Sequence, residues 1–150
     1  MRWRLGQRRQ GQRGQALAEF AIVATVFILL ILGLFEVGFA VRNYNTLAEA
    51  TREGSRYAIV HGADSWDPSG PGTAHYTALN FDEKVAEVVE SFGAGLDSSR
   101  LTVESEWLDG TNQSGSRVKI TSRYTYEPYL NVMGMISFEM GSSSTMEITN

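Results

Sequence analysis

The sequence predicts an α+β fold. A long N-terminal membrane-spanning helix continues into a small outer domain with a second helix and a three- to four-stranded antiparallel sheet. Three observations carry this expectation. Ala16 to Phe35 is a run of twenty residues with Glu19 as its one charge, long enough at about 1.5 Å per residue to cross a hydrocarbon core of roughly 30 Å. Beyond it, Val41, Tyr44, Leu47, Ala48, Thr51, Ser55 and Ala58 recur at three- and four-residue steps, the period of a helix with one covered face. Further on, Leu101, Val103 and Ser105, then Val118, Ile120, Ser122, Tyr124 and Tyr126, alternate with polar residues as half-buried strands do.

A chain of 150 residues has room for one such helix and one small domain. The division expected is a basic leader over 1–14, a transmembrane helix over 15–40, its extension over 41–60 and an extracytoplasmic α+β domain over 61–150. In residues 1–14, MRWRLGQRRQGQRG, five Arg stand among Gln and Gly with no acid, so no stable structure is expected there. Residues after the apolar run are predominantly acidic. By the positive-inside bias the N-terminus is cytoplasmic, the protein is single-pass in the cell membrane, and the acidic part is exported. Five Arg beside a membrane helix set topology and meet anionic lipid, which argues against a nucleic-acid partner. No Cys is present, which excludes disulfides and thiolate chemistry.

Within the apolar helix the informative residue is Glu19. A carboxylate in a membrane helix costs about 2.5–3.5 kcal/mol on insertion scales, so it needs a partner or a shallow position. Cleavage after Gly14 would free an ammonium on Gln15, about a turn from Glu19, in cis or on a neighbouring subunit. Gly33 and Gly38 suit close helix packing, and Glu36 lies near the outer boundary of the run. Past the membrane, Arg52, Glu53 and Arg56 are spaced for i,i+3 and i,i+4 pairs, and Gly54 lets another backbone approach.

These residues carry a resemblance. Gly14-Gln15-Ala16-Leu17-Ala18-Glu19-Phe20 resembles the processing site of type IV pilin-like proteins. With Glu36-Val37-Gly38 and Ala50-Thr51-Arg52-Glu53-Gly54-Ser55-Arg56-Tyr57-Ala58 in order behind it, residues 12–62 resemble the TadE-like family of tight-adherence pseudopilins. The resemblance implies cleavage by a prepilin peptidase between Gly14 and Gln15. It also implies register-setting by Glu19 and Phe20, a docking segment at Arg52, Glu53, Gly54, Arg56 and Tyr57, and a part in a Flp-type pilus with other pilins, pseudopilins and pilus machinery, as an oligomer or heteromer. Members often have Pro early in the helix, where this chain has Ala24 and Thr25.

In the outer part, His61 to Thr77 is rich in Gly, Ser, Asp and Pro and reads as a long loop with Trp66 as its anchor. Asp64 and Asp67 fall short of a calcium ligand set and read as turn formers. A second helix is expected over Asn80–Phe92, with Glu83 in its first turn, Val85, Val88, Val89 and Phe92 on one face, and Gly93 or Gly95 ending it. DGTNQSGS connects the first two strands; a third is expected from Met135 to Met140, with Ser144–Ile148 continuing it or forming a fourth. Tyr124, Tyr126 and Tyr129 read as one sheet face with wet hydroxyls rather than a glycan platform.

No catalytic constellation is found. His61 and His75 lack an acid at ligand spacing, no phosphate-binding Gly loop or nucleophile elbow occurs, and the Asn112-Gln113-Ser114 sequon is a common pattern. The chain is therefore expected to be no enzyme and to hold no metal or cofactor. Two alternatives predict different N-termini. An uncleaved single-pass envelope protein with an outer binding domain retains residues 1–14, and a secreted enzyme or lectin released at Ala40 loses the helix altogether.

Overall fold

The computed structural model describes residues 7–69, 73–77, 84–129 and 137–149, with backbone only for 7–13 and 73–77. Helix α1 runs Gln7–Val60, strand β1 Thr73–Thr77, helix α2 Lys84–Phe92, a 3-10 turn Ser98–Arg100, and strands β2 Leu101–Trp107, β3 Arg117–Tyr126 and β4 Phe138–Glu147. Two compact units divide this chain, one up to Gly38 and one from Phe39. The α+β expectation holds, with four strands in the order β1-β2-β3-β4, each antiparallel to its neighbour.

Helix α1 has the end expected at Val60 but starts at Gln7, inside the segment expected to lack structure. Arg and Gln are good helix formers, and adding a residue to an existing helix avoids the cost of a new nucleus. Thr25 donates its hydroxyl to the Ala21 carbonyl at 2.8 Å, and the helix is unbroken there.

The outer unit closes around one face of the sheet. Leu47, Ala50 and Ala58 of α1 and Val85, Ala86 and Val89 of α2 join Leu101, Val103, Trp107, Val118, Ile120, Tyr124, Tyr126, Met140 and Ile148 in a single buried cluster. Each large aliphatic side chain buried in this way contributes about 1.5–3 kcal/mol. The covered stripe of α1 is Asn43, Leu47, Ala50, Thr51, Gly54, Ser55 and Ala58; Leu47, Thr51, Ser55 and Ala58 lie on it as expected, Ala48 is half-buried, and Val41 and Tyr44, expected on it, are exposed. Thr51 and Ser55 satisfy their buried hydroxyls on the carbonyls one turn back, Leu47 at 2.7 Å and Thr51 at 3.0 Å.

Strands β2 and β3 alternate as expected, buried on odd positions of β2 and even positions of β3. The opposite face is polar, with Arg123 set between Glu104 at 3.3 Å and Glu139 at 3.8 Å. Such exposed pairs contribute little, in the range of about 0–1 kcal/mol.

Three expectations are corrected here. The loop expected through Thr77 ends in strand β1, whose register opposes Thr73 to Glu106 and Thr77 to Thr102; as an edge strand it needs only one partner, so the nearby Gly and Pro do not bar it. Trp66 is 93% exposed and anchors nothing among the described residues. Phe92 is half exposed, its place on α2 taken by buried Ala86. Strand β4 runs unbroken for ten residues through Gly141 and the serines, so the segment from Ser144 continues the strand, one of the two expected outcomes, held by continuous pairing with β3. Asn80, Glu83 and Met135 lie outside the described residues.

Gly93 and Gly95 terminate α2 as expected. The Gly93 N–H is shared between the Val89 and Glu90 carbonyls, and Gly95 follows at φ +91°, a conformation that suits a residue without Cβ. Tyr124 and Tyr126 point into the core, contrary to the expectation of a wet face, while Tyr129 lies beyond the strand and is exposed.

Candidate functional site

Gly14 and Gln15 lie within the helical backbone of α1, and Gly14 has open space on its side-chain side. One turn on, the Gln15 amide donates to the Glu19 carboxylate at 2.9 Å. Position 15 and the acid therefore share a helix face, as the i,i+4 spacing requires. From Leu17 to Val37 most apolar side chains are exposed, Phe20 at 70% and Leu34 at 74%, with Ala24 and Leu32 half-buried. A helix that is apolar all round, with none of that surface covered, fits lipid or neighbouring helices and not water. Gly33 and Gly38 are exposed with nothing within 4 Å of where a Cβ would stand, leaving flat places on that surface. Glu36, between them, is half-buried.

The docking segment divides into two faces. Gly54 is buried, and a Cβ there would lie 2.5 Å from Val89 Cγ2 and 3.7 Å from the Val85 carbonyl oxygen, so α1 and α2 meet at this glycine. The Ser55 hydroxyl reaches across to the Ser144 carbonyl at 3.5 Å, and the Thr149 N–H donates to the Ile59 carbonyl at 3.1 Å. Arg52 and Arg56 face outward, with Arg56 paired to Glu53 at 3.3 Å across one helical turn. Tyr57 is half-buried and stacks on His61, ring centroids 3.8 Å apart, while the His61 ring nitrogen Nδ1 lies 2.9 Å from the Tyr57 carbonyl.

Three sets of polar contacts were not legible as such in the sequence. At the β2–β3 turn the Asp109 carboxylate accepts from the Arg117 backbone N–H at 2.8 Å and from its guanidinium at 2.8 and 3.2 Å, which holds it at a pKa of about 2. The Asp97 carboxylate is lowered too, by the Ser99 hydroxyl and N–H first and by Arg100 after them. Arg100 reaches on to Glu127 at 2.8 Å. Asp67 pairs with Lys84 of α2, and the Asn112 amide donates to the Ser69 carbonyl at 2.8 Å, so both bind the 61–69 loop to the rest of the unit. Sequence order gives no sign of partners so far apart along the chain. Among the described residues no three His, Asp or Glu side chains converge as a metal would need.

Neither a curated protein nor a solved structure matches the chain. A family model does: residues 14–56 match the model described as TadE-like protein, from the Gly14 that opens the apolar helix to Arg56 on its docking segment. The match covers the Gly14–Phe20 start, Glu36-Val37-Gly38 and the segment about Gly54, the three stretches on which the resemblance rested. The match agrees with a membrane anchor at the N-terminal helix, the one helix among the described residues long and apolar enough to span. Over the stretch from Gly14 to Arg56 the chain is thus similar to the TadE-like family.

Proposed function

We propose that this chain is a pseudopilin or minor pilin of a tight-adherence pilus, with no catalytic role of its own. In this reading it is processed after Gly14 by a prepilin peptidase and is handed from the bilayer into an assembly by lateral packing of its apolar helix. The observation that carries it is Glu19, the one charge from Ala16 to Phe35 on an exposed apolar helix surface, hydrogen-bonded to residue 15. Once the bond before Gln15 is cut, the new ammonium and the Glu19 carboxylate neutralise one another between adjacent subunits. The cost of an acid in hydrocarbon, about 2.5–3.5 kcal/mol, then favours the register in which they meet. Gly33 and Gly38 allow helices to approach closely, and the outer unit makes the remaining contacts with other pilins.

One observation favours the uncleaved envelope protein. The Gly14–Gln15 bond is helical, and a protease requires an extended substrate backbone. Glycine at 14 lowers that barrier, since it holds a helix about 1 kcal/mol less well than alanine.

The two readings separate in cells that carry Glu19→Ala as their one copy of the gene. The pseudopilin reading expects normal membrane levels of the protein with loss of surface pili or of co-purifying pilins. Unchanged piliation and unchanged partner recovery would reject the role given to Glu19.

A further inference from the structure

Where the outer unit begins, several large aromatic rings stay outside its core. Phe39, its first residue, meets Tyr129 with ring centroids 5.2 Å apart and planes at 58°. Beside them Tyr126, buried, packs on Phe138 at 5.3 Å. Tyr126 and Tyr129 line one cavity with Asn43, a helical turn past Phe39, so all four rings sit at the end of the sheet where β3 leaves and β4 enters. Phe39, Tyr129 and Phe138 are nevertheless 42%, 73% and 43% exposed. Arg42, three residues after Phe39 on the same helix, is exposed, its guanidinium 3.5 Å from where a Cβ on Gly95 would stand, a residue that lines the same cavity.

We propose that this rim of Phe39, Tyr129 and Phe138 lies in the headgroup zone of the outer leaflet and gives the outer unit a second attachment to the bilayer, beside the helix. The inference rests on reading the N-terminal helix as a membrane span. Given that span, chain continuity does the rest. Phe39 follows Phe35, the last residue of the charge-free run, by four residues, a rise of about 6 Å. The headgroup layer on each side of the hydrocarbon is itself roughly 5–8 Å deep. Whatever touches the Phe39 ring is therefore held at headgroup depth.

The chemistry of the rim fits that layer. Aromatic rings with one apolar and one polar end concentrate at membrane–water interfaces, and Tyr129 is such a residue. Arg42 can lay its alkyl stem along the rim and reach lipid phosphates with its guanidinium. Water offers these rings no comparable partner, and contiguous exposed apolar surface on a soluble domain ordinarily marks an interaction site.

Native Cys is absent, so single-cysteine variants carry a nitroxide without background. Full-length Ile28→Cys, Tyr129→Cys, Phe138→Cys and Thr145→Cys would be placed in phosphatidylethanolamine–phosphatidylglycerol vesicles. Oxygen and a neutral nickel chelate then compete to relax the label, the oxygen-to-nickel accessibility ratio rising with depth. The proposal expects a ratio at 129 and 138 severalfold above that at 145 and below that at 28. Ratios at 129 and 138 equal to that at 145, with 28 deep, would overturn the rim while leaving the span intact. Shielding of 129 and 138 from both reagents would also overturn it, by showing a protein surface, such as a second copy, on the rim. An aqueous value at 28 would reject the span and the rim together.

Discussion

Gly54 of α1 stands against Val89 of α2 so closely that a Cβ at 54 would come within 2.5 Å of Val89 Cγ2. Valine in a helix has one strongly favoured χ1, so the methyl cannot simply swing away. Gly54→Ala therefore sets an overpacking cost of about 1–3 kcal/mol against a helix-propensity gain of about 1 kcal/mol. Net destabilisation is expected in urea unfolding of the detergent-solubilised protein, and Val89→Ala should cost less in the Gly54→Ala background than alone. Independent, additive effects would show that the helices do not meet as described.

Acid should weaken the β2–β3 turn through Asp109. Its folded pKa of about 2 lies below the unfolded carboxylate value near 3.9. The stabilisation is thus fully present above the unfolded value and is lost as pH falls through the folded one. The difference in stability between wild type and Asp109→Asn should be constant above about pH 5 and shrink toward pH 2. A difference independent of pH across that window would exclude the carboxylate as its source.

Ser122 carries a hydroxyl that is fully buried in the sheet's inner face and makes no hydrogen bond among the described residues. Removing a buried polar group without a partner relieves its desolvation cost, about 1–3 kcal/mol. Ser122→Ala should accordingly leave thermal stability unchanged or raise it, although most core substitutions lower it. A drop of several degrees would reveal a partner for this hydroxyl.

Much of this architecture could be read from residue order because local periodicity encodes it. The apolar run, the end of α1 at Val60, the alternation in β2 and β3 and the glycines after α2 all follow from spacing along the chain. Close approach at Gly54 was legible as well, since a glycine among helix formers marks contact, though not that Val89 would be its neighbour. What residue order hid was set by distant partners. Strand β1 has Gly and Pro just before it and takes its strand conformation from pairing with β2. Likewise, Gly141 and three serines look like a break until β3 lies alongside them. The clamps from Asn112 to Ser69 and from Asp67 to Lys84 join residues 43 and 17 apart, a separation no periodicity reports. Of the candidate site, the placement of Gly14, Gln15, Glu19 and Phe20 on one continuous helix was legible because it depends on spacing alone.

Processing at Gly14 is the central claim, and the intact mass and N-terminal sequence of the protein from native membranes test it most directly. The account predicts a mature chain that starts at Gln15, with its amine free or methylated one turn from Glu19. A chain that retains Gly14 and the arginines before it would contradict the pairing of ammonium and carboxylate and leave an uncleaved, membrane-anchored binding protein.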